Sequence, residues 1–114
     1  MLSVDKIFNA GVALKGIIHE TALVNAPSLA PVCRLYLKTE NLQNTGSFKL
    51  RGSGYKIANL SPEERARGVI ACSAGNHAQG VALAASKYGI SSLICLPDSA
   101  PISKVEATQG YGAN

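Results

Sequence analysis

The sequence has no tryptophan, only two phenylalanines, and an aromatic content of 5%. So few rings leave little on which nucleic-acid bases could stack, and the lysines and arginines are scattered instead of forming a basic block, which argues against a nucleic-acid partner. No apolar run approaches the roughly 20 residues that span a bilayer, and the N-terminus lacks the apolar core of a secretion signal, so no membrane association is expected. The three cysteines, Cys33, Cys72 and Cys95, are odd in number, far apart and without a CxxC pair. That is unlike a disulfide framework and fits a reducing compartment, with the cytoplasm as the default. Cys72 and Cys95 lie inside apolar runs and are expected to behave as small buried hydrophobes. His19 and His77 are too isolated to suggest a zinc site, and no metal is expected. Internal repeats and low-complexity stretches are absent as well.

What remains is an ordinary globular composition: 114 residues, 46% hydrophobic and 16% charged, with a net charge of +4 that suits a small anionic ligand such as a phosphate or carboxylate. Ser3 can cap a first helix with Val4, Ile7, Phe8 and Val12 on helical spacing and Gly16 as its stop. Residues 17–31 read as an extended connector broken by Pro27 and Pro31, and residues 34–38 alternate as a strand. A helix is expected from Ser47 to about Asn59. Ser61-Pro62-Glu63-Glu64 is a helix start with a capping box, and Gly68 closes that helix. Val69–Cys72 reads as a short buried strand, Asn76–Tyr88 as a helix closed by Gly89, and residues 92–96 as another buried strand. Ser99 and Pro101 open a last helix that ends near Gly110, and Gly110–Asn114 looks like a helix stop leading into a further strand. Strands with continuous apolar runs that alternate with helices predict an α/β fold, a parallel sheet flanked by helices on both faces.

Two stretches carry chemistry. In Thr45-Gly46-Ser47-Phe48-Lys49-Leu50-Arg51-Gly52, Ser47 is a good N-cap, which puts Lys49 in the first helical turn beside unpaired N–H groups and the positive dipole end. Positive surroundings and partial burial both favour a neutral amine, which attacks carbonyls to form a Schiff base. A solvated surface lysine is the plainer alternative. In Ser73-Ala74-Gly75-Asn76-His77-Ala78-Gln79-Gly80 a strand runs through a loop into a helix N-terminus, a ready carboxylate site that Gly75 lets a ligand approach; an ordinary turn with an asparagine cap is the alternative. Neither stretch is a nucleotide loop. The second has P-loop glycine spacing without the following Lys-Ser/Thr, and Gly52-Ser53-Gly54 meets Ile57 where a third glycine is required.

The pair SFKLRG and SAGNHAQG, in this order and separation, resembles the pyridoxal-phosphate enzymes of fold type II (tryptophan synthase β-like), and among them the threonine dehydratases. The resemblance runs from about Thr21 to the end of the chain. It implies pyridoxal phosphate as cofactor, a small amino-acid substrate, a homo-oligomer, and α,β-elimination from L-threonine, and from L-serine, to 2-oxobutanoate or pyruvate and ammonia. It implies Lys49 as the Schiff-base lysine and catalytic base, with Phe48 beside the cofactor, where core packing is the alternative role. Ser73, Ala74, Gly75, Asn76 and His77 would form the substrate loop, with the Asn76 amide on the cofactor's ring hydroxyl and His77 the least specific of the set. Thr21-Ala22-Leu23 departs from the family's Thr-Pro-Leu by an alanine. The family's glycine-rich phosphate loop and its partner for the pyridine nitrogen have no counterpart here, so residues 1–114 are expected to be the N-terminal piece of a longer catalytic region, inactive alone. Within them, residues 1–44 hold the first helix, connector and first strand, and residues 45–114 the lysine helix and substrate-loop region. Serine racemase or a synthase on the same scaffold, and a non-catalytic fragment, are the alternatives. In serine racemases a serine serves the second face of the substrate from the position that Ala74 occupies here.

Overall fold

The computed structural model describes all 114 residues. Helix α1 (Val4–Ala13) begins as expected, with Ser3 Oγ accepting from the Lys6 amide. Its apolar residues Val4, Ile7, Phe8 and Val12 are nevertheless exposed; the helix reaches the body through its C-terminal end, where Leu14 and Ile17 are buried. Strands β1 (Leu23–Asn25) and β2 (Tyr36–Lys38) follow, separated by a 3₁₀ turn at Pro27–Leu29. They pair antiparallel, Leu23 opposite Lys38 and Asn25 opposite Tyr36. They form a small sheet of their own, apart from the expected parallel one: the connection between them carries no helix, and without a crossover helix adjacent strands pair antiparallel.

Helices α2 (Lys49–Ala58) and α3 (Pro62–Arg67) come next. The capping box of α3 is complete: Ser61 Oγ accepts from the Glu64 amide, and the Glu64 carboxylate accepts from the Ser61 amide at 2.8 Å. Gly68, at φ 79°, then turns the chain into β3 (Val69–Cys72), where a Cβ would also meet the Ser91 carbonyl oxygen at 2.8 Å. Helix α4 (Asn76–Lys87), β4 (Ser92–Cys95) and α5 (Ile102–Gly110) complete the order. β3 and β4 are parallel and in register from Val69–Ser92 to Cys72–Cys95. Asn114 adds a rung to the far side of β4, donating to the Ser92 carbonyl and accepting from the Ile94 amide at 2.7 Å, so the stretch after Gly110 does enter the sheet.

The helices cover one face of this sheet only. On the covered side Ser92 and Ile94 are buried, and on the other Ile70 is 72% exposed and Leu93 is also exposed. Cys72 and Cys95 share that open face and are both exposed, as is Cys33. The reading of Cys72 and Cys95 as buried, and of their strands as buried on both sides, is therefore corrected. A run of apolar residues does not reveal which of its two faces is covered.

The core lies between α2 and α4: Leu50 and Ile57 face Ala78, Val81, Ala82 and Ala85, with Ile90 and Ile94 beneath. Small residues on α4 allow the helices to come close, and the closest point is Gly80. A Cβ there would sit 2.9 Å from Ser53 Oγ and 3.2 Å from both the Leu50 nitrogen and the Lys49 carbonyl carbon. Two of those neighbours are backbone and cannot rotate away, so Gly80→Ala is expected to lower stability by about 1–3 kcal/mol. A fall in the urea midpoint with an unchanged slope would be the signature.

Candidate active site

Lys49 is the first residue of α2. The cap position is held by Phe48 in helical conformation, φ −66° and ψ −11°, and not by Ser47. Ser47 keeps part of the expected role, because its Oγ accepts a long bond, 3.4 Å, from the Lys49 amide. The Lys49 side chain is exposed, so the partial burial expected for it is not found. Its Nζ stands 4.8 Å from the centroid of the Phe48 ring. That ring is itself exposed, which overturns core packing as its role and makes it a platform for the amine. No carboxylate pairs with Lys49; the ion pair in the structure joins Arg51 and Glu40.

That ion pair is the strongest electrostatic feature near the site. Glu40, in the 3₁₀ turn Glu40–Leu42 that follows β2, accepts two parallel hydrogen bonds from Arg51, at 2.9 Å from Nε and 2.8 Å from Nη2. The Thr21 hydroxyl donates to the same carboxylate at 2.5 Å. The side chains are 15% exposed for Glu40 and 32% for Arg51. The Arg51 hydrogen bonds, ahead of the Thr21 hydroxyl and the Arg51 charge, hold the Glu40 carboxyl down from an ordinary 4.5 to about 2 and push Arg51 further up. Around the pair, Gln43 bonds both the amide and the carbonyl of His19, at 2.7 and 2.9 Å, and Asn44 Nδ2 donates to the Ile17 carbonyl. Arg51 lies two residues beyond Lys49, so this network fixes the turn on which the lysine stands. Sequence reasoning missed Glu40 as a partner. The bidentate geometry that identifies it exists only after the chain has folded back over 11 residues.

The loop between β3 and α4 lies at the other side of the helix crossing. The Ser73 amide donates to the Cys95 carbonyl, continuing the ladder, and Ser73 Oγ accepts from the Gly75 amide at 3.2 Å. The backbone N–H groups of Ala74, Asn76 and His77 have no backbone acceptor, and the space where a Gly75 Cβ would stand is open. These are the conditions for an anion site at a helix N-terminus. Asn76 is exposed, its Oδ1 at 3.5 Å from the Lys104 ammonium of α5, a residue not expected near the loop. His77 is set apart from the other candidates: with Gly52, Lys56, Ile57, Val69 and Val81 it lines a cavity of about 320 Å³ to which neither Lys49 nor Phe48 contributes. The structure thus joins Lys49 and Phe48 on one helix start and Ser73, Ala74, Gly75 and Asn76 on another, with Gly80, one turn beyond Asn76, seated on the Lys49 turn.

Comparison with known proteins places the chain in a family. The family described as "Pyridoxal-phosphate dependent enzyme" matches residues 14–114. An L-threonine ammonia-lyase from Thermotoga maritima is 53% identical over 99% of this chain and 29% of its own length. The L-threonine dehydratase catabolic TdcB of Staphylococcus aureus (strain N315) is 47% identical over 99% of this chain and 34% of its own. The chain therefore spans about a third of the length of these relatives. Among solved structures, maize serine racemase superposes with a TM-score of 0.91 at 37% identity, covering 98% of this chain and 35% of that one. The processed form of threonine deaminase isoform 2 from Solanum lycopersicum gives 0.80 at 36% identity, covering 98% and 33%.

The ion pair makes stability depend on acidity in a definite direction. A carboxyl with a depressed folded-state pKa stabilises the fold at pH values above its unfolded pKa and loses that contribution as pH falls toward the folded value. The contribution of Glu40 should be complete above about pH 5 and disappear progressively toward pH 2, and with Arg51 partly solvated it amounts to about 2 kcal/mol. Glu40→Gln should lower the urea midpoint at neutral pH and flatten its fall below pH 5. An unchanged acid limb in the variant would assign that limb to other carboxylates.

Proposed function

Because the chain belongs to the pyridoxal-phosphate-dependent enzyme family, we propose that it is the lysine-bearing part of a threonine ammonia-lyase, acting on L-threonine and also L-serine to give the 2-oxo acid and ammonia. The observation that carries this reading is the crossing at Gly80, which sets the Lys49 turn against the helix that begins at Asn76, in a chain so similar to an L-threonine ammonia-lyase. The residues fit the cofactor. Lys49 offers an amine with no carboxylate partner, and the loop offers N–H groups without backbone acceptors beside an open Gly75. Pyridoxal phosphate, when bound, supplies an aldehyde for amines and a ring that takes up electrons from the substrate Cα–H bond.

The protein's own groups do the rest. Lys49 holds the cofactor and, as a free amine, takes the α-proton; its place at a helix start beside Phe48 gives it reach without burial. The N–H groups of Ala74, Asn76 and His77 at the start of α4 bind the substrate carboxylate, and the dipole of α4 adds to that attraction. The Asn76 amide orients the cofactor through its ring hydroxyl, and the Glu40–Arg51 pair keeps the Lys49 turn in place. We place the protein in the cytoplasm as a homo-oligomer. The free cysteines suit a reducing compartment, and no helix is long and apolar enough to cross a membrane.

A racemase on the same scaffold is the competing reading, since a serine racemase superposes on the chain as a threonine deaminase does. Returning a proton to the face opposite Lys49 needs a second acid–base group. Ala74 has none; the neighbouring Ser73 keeps its hydroxyl proton, but its Oγ accepts from the Gly75 amide and is thereby held against its own loop backbone.

Two experiments on the holoenzyme test this reading. Lys49→Ala should lower turnover of L-threonine by on the order of 10³-fold or more while leaving the fold intact, and borohydride reduction with peptide mapping should label Lys49. Label on Lys38 or Lys56 would move the site. With L-serine as substrate, chiral chromatography should find pyruvate and negligible D-serine from the natural protein, and some D-serine from Ala74→Ser. Substantial D-serine from the natural protein would assign it to the racemase branch.

A further inference from the structure

Cys72 and Cys95 end β3 and β4 and stand opposite each other in the parallel register. Adjacent strands run about 4.8 Å apart, inside the range of Cα separations that a disulfide bridges. Both side chains project from the uncovered face of the sheet and are exposed. Cys72 and Cys95 are register partners on the same face of their strands, and the neighbouring Cys72 pushes the Cys95 thiol pKa up. Cys33 is equally exposed but stands in the connector between β1 and β2, so the molecule carries its own unpaired reference thiol. The pair also lies directly under the loop, since Cys72 precedes Ser73 and the Ser73 amide bonds the Cys95 carbonyl at 3.1 Å.

We propose that Cys72 and Cys95 form a dithiol modification site, oxidised reversibly to a disulfide between β3 and β4 by a small-molecule disulfide. Cys72, as thiolate, attacks one sulfur of the small disulfide and expels the other half as a thiolate, which leaves a mixed disulfide on Cys72. Cys95 then gives up its proton and attacks the Cys72 sulfur, expelling the remaining half. Two protein thiols are oxidised and one small disulfide is reduced to two thiols. A bond that joins neighbouring strands within a formed sheet is of the exposed, readily reduced kind, which suits a reversible modification in a reducing compartment.

The test is to incubate the folded protein with oxidised glutathione, block remaining thiols with N-ethylmaleimide, and map the peptides by mass. The expected result is a crosslinked Cys72–Cys95 peptide lacking both thiol hydrogens, a glutathione adduct persisting on Cys33, and recovery of all thiols with dithiothreitol. In Cys95→Ser the second step is removed, and the glutathione adduct should persist on Cys72. The proposal is overturned if Cys72 and Cys95 keep separate adducts, if Cys33 alone reacts, or if the crosslink forms only in denaturant. Cys33→Ser should leave the crosslink unchanged; its loss in that variant would mean that Cys33 relays the exchange, and would also overturn the proposal.

Discussion

One carboxylate joins the N-terminal strands to α2. Glu40 accepts from Arg51 on α2 and from Thr21 on the connector, so three segments distant in sequence meet on two oxygen atoms. The strands β1 and β2 make too small a sheet to be stable alone. They are attached to the body through this carboxylate and through the side chains of Gln43 and Asn44, which occupy the backbone groups of His19 and Ile17. A polar joint of this kind is directional where an apolar contact is not. It fixes the orientation of the first turn of α2 as well as its position.

From that turn onward the architecture is governed by small side chains. α4 presents glycine and alanine to α2, and Leu50, fully buried, fills the space between them. At the start of α4 the fold leaves the N–H groups of Ala74, Asn76 and His77 without backbone acceptors, while at the start of α2 the Lys49 amide donates to Ser47 Oγ. The candidate site is thus assembled from two helix starts, with few of its groups drawn from the interior. That accounts for the exposure of Lys49, Phe48 and Asn76, which would be unusual for groups whose role was to hold the fold together.

The elements with local signals were legible in the sequence. The capping box at Ser61, the cap at Ser3 and the strand–loop–helix around Ser73 are set by neighbours within four residues, and each formed as expected. What was not legible depended on partners far along the chain. The apolar stripe of α1 has the spacing of a core helix but is not covered. Cys72 and Cys95 sit in apolar runs, yet the helices lie on the opposite face of their strands. The Glu40 carboxylate took its role from Arg51, a contact that neither hydrophobicity nor periodicity encodes. The site motifs were visible because their residue types are tied to chemistry; the network that holds them was not, because glutamate, arginine and threonine are ordinary surface residues until they meet.

The contact at Gly80 has a further consequence for how such a site is kept in adjustment. The separation between the Lys49 turn and the start of α4 is set at Gly80, where the Leu50 nitrogen and the Lys49 carbonyl carbon lie 3.2 Å, and the Ser53 hydroxyl 2.9 Å, from where a Cβ would stand. An interface of flexible side chains has slack and absorbs small disturbances locally. Here two backbones approach closely, and a shift of α4 at Gly80 presses directly on the Lys49 turn. The crossing therefore acts as a mechanical datum: the two halves of the site keep their spacing when the surrounding surface moves, and they move only together.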